Sequence, residues 1–312
     1  EENEKVKCVW VRRRFDLPAE QAAGSAALKW GGIRFGVTAY VNGRRVGSHA
    51  PIGPHTIHLP VGLLREGANE MLLKVNGWAS LHRSKNDVPV IPVGADLFWG
   101  GRMPALWDDI WLEFYQRVCA DRILAVPDLP GRKVVFRINL GPEADGLDAA
   151  DVHAEVRIAA TGKVVGTAQV QAPVGEFFLL EVPLSEVREW TPTRPELHRA
   201  ELRVEAAGEL CDRVGFRFGM REISVEDGHY RLNDRPLWFR GSNLVHEWTW
   251  GDTFNREIKR YVVDEARNMN LNCFRTHTLP PVTSWLDVCD EHGTMILAEF
   301  WTTFNYRDFG FT

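Results

Sequence analysis

The hydrophobic pattern of this chain changes its period near Arg235, and that change limits the folds open to it. Before this residue, apolar and polar side chains alternate over short runs, which is typical of half-buried β-strands. After it, two apolar stripes of helical spacing lie between three short strand-like runs. The order strand, helix, strand, helix, strand predicts a parallel sheet.

The elements of this parallel part have predicted positions. Strands are expected at 236–240, 272–277 and 294–298. Asp252 or Thr253 is the predicted cap of the first helix, because either side chain can accept a hydrogen bond from a free amide of the first turn. The first helix is predicted from the stripe Phe254, Ile258, Tyr261, Val262, Ala266 and Met269. The second is predicted from Val282, Trp285, Leu286 and Cys289, with Pro281 near its start and Gly293 just past its end.

The chain before the period change predicts two β-sandwiches. In the first, the dipeptide Asn42-Gly43 stands between two β-prone runs, as a two-residue turn with positive φ at both positions requires. Short strands without a long amphipathic helix favour a jelly roll there, and a second set of strands favours an immunoglobulin-like sandwich. The expected domains are 1–116, 117–217 and 218–312.

Composition and charge exclude several classes of function. A net charge of −5 gives no electrostatic basis for binding nucleic acid, and no apolar run of about 18 residues is present to span a membrane. The five cysteines are odd in number and contain no C-x-x-C pair, so buried free thiols are expected rather than disulfides or a metal site. No cofactor is predicted. Compartment and homo-oligomer formation stay open.

Tryptophan is the one compositional outlier, with 12 residues. Because indole rings pack in cores and also stack on sugars, the count suggests carbohydrate binding without deciding it. Several of these residues, including Trp99, lie in a long insertion at 76–109. The insertion is either an arm that reaches toward a ligand or a loop that its Trp side chains fix to its own domain.

Several motifs together resemble glycoside hydrolase family 2, which includes β-galactosidases, β-glucuronidases and β-mannosidases. The hairpin at 39–47 is similar to the family's jelly-roll signature, and the stretch 190–197 is similar to its W-x-P-x-x-P-x-L pattern. The junction 218–243 is the most specific part, and the similarity continues through 275–280 and 287–293. The resemblance covers nearly the whole chain.

The resemblance implies that the third domain is part of a (β/α)₈ barrel and that its ligand is a carbohydrate. Catalytic groups of such barrels lie at the carboxyl ends of the strands. That rule selects six candidate substrate-binding residues after the three strands: Asn243, His246, Glu247, Arg275, His277 and Glu299. Trp99 of the insertion is a seventh candidate, because its indole ring can stack on a sugar. Glu299 aligns with an acidic residue that lies beside a metal in some members. Family members carry a Ser-His pair after the arginine, whereas this chain has His277-Thr278.

The resemblance also implies what this chain lacks. A retaining glycosidase needs two carboxylic acids about 5 Å apart, and family members carry them as glutamates after the fourth and seventh barrel strands. Only three such strands are predicted here, so neither glutamate is expected among these 312 residues. We expect a fragment of a retaining glycosidase that is inactive alone. The alternative is a module that binds carbohydrate or a partner without catalysis.

Overall fold

The computed structural model describes residues 5–49, 53–81, 104–106, 108–142, 146–244, 255–277 and 281–299. Two antiparallel β-sandwiches are followed by a small parallel sheet with two helices. We call residues 8–115 the first sandwich, residues 119–219 the second sandwich and residues 241–299 the parallel segment. The two regions of different hydrophobic period predicted from the sequence are therefore confirmed.

The first sandwich packs a four-stranded sheet against a three-stranded one. The sheet orders are β1-β7-β4-β5 and β6-β2-β9, and β3 pairs with β8 beside them. The strands are β1 (Cys8–Leu17), β2 (Ser25–Trp30), β3 (Ile33–Arg34), β4 (Val37–Val41), β5 (Arg44–His49), β6 (His55–Leu59), β7 (Gly67–Asn76), β8 (Ala105–Leu106) and β9 (Ile110–Tyr115). Short helices lie at Ala19–Ala23 (α1) and Trp78–Ser80 (a 3₁₀ turn).

The predicted hairpin between β4 and β5 is confirmed. Asn42 and Gly43 both have positive φ, 48° and 80°. The Asn42 side chain also ties the turn to its neighbours, since its amide nitrogen donates to the Leu63 carbonyl oxygen at 2.9 Å and its oxygen accepts from the Glu70 amide at 2.9 Å. The turn is thus fixed by backbone geometry and by side-chain hydrogen bonds together.

The second sandwich has seven main strands and the largest hydrophobic core. Its sheets have the orders β10-β11-β14 and β13-β12-β17-β18, and their inward-facing side chains form one cluster. Phe218 and Met220 belong to that cluster. The strands are β10 (Cys119–Asp128), β11 (Lys133–Gly141), β12 (Ala149–Ile158), β13 (Val164–Pro173), β14 (Phe177–Pro183), β15 (Trp190–Thr191), β16 (Arg194–Pro195), β17 (Leu197–Ala206) and β18 (Glu209–Gly219).

The parallel segment follows a small antiparallel unit. That unit consists of β19 (Ile223–Glu226), β20 (His229–Leu232) and β21 (Arg235–Pro236). The parallel sheet has the order β22-β23-β24, and its elements are β22 (Gly241–Leu244), α2 (Arg256–Asn268), β23 (Cys273–Thr276), α3 (Thr283–His292) and β24 (Met295–Leu297). The αL conformation of Gly293, with φ 76°, ends α3 as predicted.

The predicted first parallel strand at 236–240 is wrong, because the strand is Gly241–Leu244. Residues 235 and 236 instead complete the antiparallel unit, and the Leu237 amide donates to the Tyr230 carbonyl oxygen. Parallel pairing starts only where Gly241 meets Cys273. A Cβ at Gly241 would lie 2.7 Å from the Cys273 carbonyl oxygen, so the close approach of the two strands requires glycine.

The prediction for the first long helix is wrong in two details. Its cap is Asn255, whose side chain accepts hydrogen bonds from the amides of Glu257 and Ile258 at 3.0 and 3.2 Å. The buried residues of the helix are Lys259, Val263 and Ala266. Three residues of the predicted apolar stripe, Ile258, Tyr261 and Met269, are exposed, and so is Leu286 on the second helix.

The buried face of α2 differs from the predicted apolar stripe because a lysine occupies a core position. The Lys259 side chain is completely buried, its ammonium group lies 5.7 Å from the centre of the Trp285 ring, and it donates to the Ser284 hydroxyl. An aliphatic stem with a cation over an indole face satisfies such a site. A stripe defined by apolar residue types alone assigns lysine to the solvent side.

The first sandwich and the parallel segment share one hydrophobic core. Phe35 and Trp78 come from the sandwich and meet edge to face, with ring centres 5.9 Å apart. They lie in the same cluster of buried side chains as Val263, Phe274 and Trp285 of the parallel segment. The start of the 76–109 insertion therefore packs between the first sandwich and the parallel segment. This differs from both predictions for its Trp side chains, which were contact with a ligand and packing on their own domain. Trp99 lies outside the described residues.

The second sandwich holds the other end of α3. The Trp190 indole nitrogen donates to the Asp290 carbonyl oxygen at 2.7 Å, and the Arg221 guanidinium lies 4.6 Å from the centre of the same indole ring. Arg217 of β18 pairs with Glu291 and, at 3.1 Å, with Asp287. The W-x-P-x-x-P-x-L stretch thus starts with a residue that joins two domains.

Asp108 of the first sandwich caps α3 from outside. The helix has no side-chain cap of its own at Val282. The Asp108 carboxylate accepts from the amide and the hydroxyl of Thr283, at 3.3 and 3.4 Å. A carboxylate at a helix amino terminus satisfies a free amide and interacts favourably with the helix dipole.

We predict that Asp108→Ala lowers the free energy of unfolding by about 1 kcal/mol, as loss of a helix cap does. The neighbouring Asp109→Ala is the matched control, since α3 contacts the Asp108 carboxylate and not that of Asp109 among the recorded hydrogen bonds. Urea unfolding of both variants measures the effect. Equal stability of the two variants would contradict the cap.

Two histidines of the first sandwich stack inside it. The rings of His49 and His55 are 3.8 Å apart between centres, and Trp30 lies against both. Burial lowers the pKa of His49 to about 4, and the neighbouring His55 acts in the same direction. Burial also lowers the pKa of His55, followed by the charge of Arg122. Both rings are therefore neutral in the folded protein at pH 7.

We predict that stability falls as the pH is lowered from about 6.5 toward 4. A histidine in the unfolded chain has a pKa near 6.5, whereas the pKa of His49 in the folded protein is about 4. Between these two pH values the unfolded state binds more protons, so lowering the pH favours unfolding. Unfolding in urea between pH 7 and 5 tests this. His49→Phe should flatten the profile, and His229→Gln, at an exposed histidine, should not. Identical profiles for wild type and His49→Phe would contradict the assignment.

Candidate functional site

The register of the parallel sheet brings predicted site residues side by side. Asn243 of β22 pairs with Arg275 of β23, and Arg275 pairs with Leu297 of β24. These residues lie at the carboxyl ends of their strands, where parallel sheets place their ligand sites. Asn243 and Arg275 lie within their strands rather than after them, because the strands run to Leu244 and Thr276.

Arg275 is the centre of the site. Its guanidinium donates to the Asn243 side-chain oxygen at 3.2 Å and also to the Glu299 carboxylate. Arg275 is 45% exposed and Glu299 is 22% exposed, so the ion pair stands at the edge of the protein with donors still open to solvent. A guanidinium carries five N–H donors, and these two contacts leave others available for a ligand.

Glu299 is held by its backbone and faced by a histidine. Its amide donates to the Thr276 hydroxyl at 3.0 Å, and the second oxygen of its carboxylate lies 3.4 Å from His277 Nδ1. Arg275 and His277, two residues apart on one chain, both approach this carboxylate, as alternation along a strand allows. Thr276, between them, is completely buried.

The structure therefore brings together four of the seven residues selected from the sequence: Asn243, Arg275, His277 and Glu299. His246, Glu247 and Trp99 lie outside the described residues. Sequence reasoning missed Thr276, which fixes the Glu299 backbone. The signal was available, because a hydroxyl residue beside a candidate site arginine at a strand end can accept a hydrogen bond from a neighbouring loop.

The second sandwich covers the opposite ends of β23 and β24. Cys273 and Met295, where β23 and β24 begin, lie in a cluster with Trp190 and Leu197 of the second sandwich. A Cβ at Gly293 would lie 2.2 Å from the Pro192 carbonyl oxygen, so the second sandwich also touches the chain entering β24. The second sandwich therefore leaves no room for a ligand at the amino ends of β23 and β24.

The arrangement supports binding of a polar ligand. Arg275 supplies donors, while the carboxylate and the asparagine oxygen supply acceptors.

Within the described part of the chain, no group of three or more His, Cys, Asp or Glu side chains is arranged to hold a metal ion. All five cysteines are free thiols, four of them buried. No helix among the described residues is long and apolar enough to cross a membrane.

Two family profiles match the chain. The profile described as "Glycosyl hydrolases family 2" matches residues 133–221, and the profile described as "Glycosyl hydrolases family 2, TIM barrel domain" matches residues 223–307. Together they cover more than half of the 312 residues. The second match includes the whole parallel segment.

Curated relatives extend the similarity to nearly the full chain. A beta-galactosidase of Thermoanaerobacter pseudethanolicus is 23% identical over 300 residues, which are 93% of this chain and 39% of that protein. A beta-glucuronidase of Streptococcus agalactiae is 23% identical over 309 residues, which are 96% of this chain and 50% of that protein. The chain thus spans half or less of the length of these relatives.

Solved structures share the fold. A glycosyl hydrolase family 2 member from Bacteroides cellulosilyticus superposes with a TM-score of 0.75 at 16% identity, covering 94% of this chain and 40% of that one. A β-glucuronidase from Ruminococcus gnavus, solved with a C6-substituted uronic isofagomine, gives 0.73 at 19% identity, covering 98% and 53%. The order of two sandwiches and a parallel segment is therefore a shared architecture.

Proposed function

Because the chain belongs to glycoside hydrolase family 2, we propose that it supplies the scaffold and part of the sugar pocket of a glycosidase acting on β-linked sugars. In this proposal the parallel segment is the first part of a (β/α)₈ barrel. The observation that carries it is the meeting of Asn243, Arg275 and Glu299 at the carboxyl ends of adjacent parallel strands.

Each of these residues has a proposed role. Arg275 donates hydrogen bonds to sugar hydroxyls, while Glu299 and Asn243 orient its guanidinium and accept from other hydroxyls. Sugar hydroxyls both donate and accept, so a site that alternates donors and acceptors suits them. Specificity between a galactoside and a glucuronide then depends on a few such contacts. The relatives include enzymes named for each of the two sugars.

Hydrolysis is proposed to need carboxylates other than Glu299. A retaining glycosidase uses an acid/base and a nucleophile whose carboxyl groups are about 5 Å apart. The Glu299 carboxylate is paired with Arg275 and has no carboxylate partner among the recorded contacts of the described residues. We therefore infer that the 312-residue chain binds sugar at this site but does not hydrolyse glycosides by itself.

A non-catalytic carbohydrate-binding role is the second candidate. It is favoured by the partly exposed aromatic rings of the first sandwich, Trp10 and Trp111. The two candidates differ in where the sugar binds: in the first, affinity depends on the strand ends of the parallel segment, and in the second it survives their disruption.

We predict that Arg275→Ala weakens binding of a non-hydrolysable β-thioglycoside roughly 10- to 100-fold, the usual effect of losing hydrogen bonds to a charged group. Isothermal titration of the full chain with a β-thiogalactoside and a β-thioglucuronide measures this. Arg260→Ala is the matched control, because that exposed arginine lies on α2 and pairs with Glu257.

Chromogenic substrates test the second part of the proposal. The chain alone should release no chromophore from aryl β-galactosides or β-glucuronides above the Arg275→Ala background. Hydrolysis by the wild-type chain would contradict the inferred lack of activity. Binding that is equal in wild type and Arg275→Ala would contradict the site and favour the non-catalytic role.

A further inference from the structure

The outer face of the four-stranded sheet in the first sandwich carries an aromatic pair. Along β1, Val11, Phe15 and Leu17 pack inward, so Trp10 projects from the opposite face. Trp10 is 53% exposed, and its ring centre lies 5.8 Å from that of Tyr40, with an angle of 39° between the planes. The two residues stand on strands separated by β7, so their rings form a cover over β7.

Two cationic residues are cross-strand neighbours of this aromatic pair. Trp10 pairs in register with Lys74 of β7, and Tyr40 pairs with Arg45 of β5. Cross-strand neighbours of this kind have their Cβ atoms about 5 Å apart, so both cationic side chains start beside the aromatic residues on the same face of the sheet. Lys74 and Arg45 have no carboxylate partner among the ion pairs recorded for the described residues, although Arg45 donates to the Ser48 hydroxyl at 3.1 Å.

The charge of the face differs from that of the chain. The chain carries −5 in total, yet the outward positions of β1, β7 and β5 include Arg12, Arg14, Lys74 and Arg45 against Glu70 and Asp16. Arg12 and Arg14 share the Glu70 carboxylate, at 3.7 and 3.1 Å. The unpaired cations are therefore the two that adjoin the aromatic rings.

We propose that this face binds an acidic oligosaccharide, with sugar rings against Trp10 and Tyr40 and uronate carboxylates at Lys74 and Arg45. The C–H faces of sugar rings pack on aromatic rings, and the free ammonium and guanidinium groups complement carboxylates. Thr38, next to Lys74 in the same row of the sheet, adds a hydroxyl for sugar hydroxyls.

Other ligands fit the face less well. The apolar area comprises Trp10, Tyr40 and Leu72, which is small beside the roughly 800 Å² per partner of a stable protein interface. A nucleic acid carries a charge on every phosphate and extends beyond the cations of this face onto the rest of the negatively charged chain, whereas a short oligosaccharide stays on the face. The inference does not depend on the site at the strand ends, since no residue is shared between the two sites.

Isothermal titration of the full chain tests the proposal with two probes of equal length. One is a β-linked tetrasaccharide with two glucuronate residues, and the other is its neutral glucose counterpart. We expect saturable binding of the acidic probe, weakened about tenfold by Trp10→Ala and about threefold to tenfold by Lys74→Gln. Raising the salt concentration should weaken the acidic probe's binding because surface charges are screened.

Two controls locate the binding. Trp111→Ala removes a 40%-exposed indole from the other sheet of the same sandwich and should leave the affinity unchanged. All titrations are repeated in the Arg275→Ala background, which weakens sugar binding at the strand ends. The saturable binding that depends on Trp10 and Lys74 should persist in that background, so failure of the proposed function and failure of this inference give different results. Absence of saturable binding, equal binding of the neutral probe, or loss of binding in either control would overturn the proposal.

Discussion

The described parallel segment shares its hydrophobic core with the first sandwich. A three-stranded parallel sheet with two helices has too few layers to bury both faces. The first sandwich contributes Phe35 and Trp78 to the core beneath α2 and α3, and the second sandwich covers the start of β23 and β24 with Trp190. The candidate site is held in register because each β-sandwich supplies one of these surfaces.

Polar contacts then fix the direction of α3 between the two sandwiches. Asp108 caps its start, and Arg217 and Arg221 pair with carboxylates in its last turns. Partial burial acts to raise the pKa of Glu291, but hydrogen bonds and charge from Arg217 and Arg256 outweigh it, and the pKa is lowered. The charged form of Glu291 is thus favoured by the folded arrangement. β24 follows directly from this helix, so the position of Glu299 depends on these contacts.

The sequence correctly predicted features that depend on local backbone conformation. It failed for features that depend on residues distant in the sequence. The turn at Asn42-Gly43 and the end of α3 at Gly293 follow from backbone conformations that few residues adopt. The first parallel strand was placed too early, because its start depends on where Cys273 lies beside Gly241. The burial of Lys259 depends on Trp285 and Ser284 of another helix, and no apolar pattern within α2 contains that information.

For the candidate site, the rule on strand ends selected residues that the structure brings together within the described chain, and the register of the sheet sets which of them are neighbours. Asn243 and Arg275 lie in β22 and β23, and Glu299 follows β24; the first and last of these residues are more than 50 positions apart in the sequence. Their meeting could be predicted because parallel strands align their carboxyl ends. The supporting role of Thr276 and the stabilising role of Trp78 could not, since both depend on tertiary neighbours.

Hydrogen exchange read by mass spectrometry tests the dependence of the parallel segment on the first sandwich most directly. Phe35→Ala empties a completely buried position in the shared core and should cost about 3–5 kcal/mol. The account predicts much faster amide exchange in α2, α3 and β23, with the second sandwich unchanged, and no such effect for Val61→Ala, at a 76%-exposed residue of the first sandwich. Unchanged protection of the parallel segment in Phe35→Ala would contradict it.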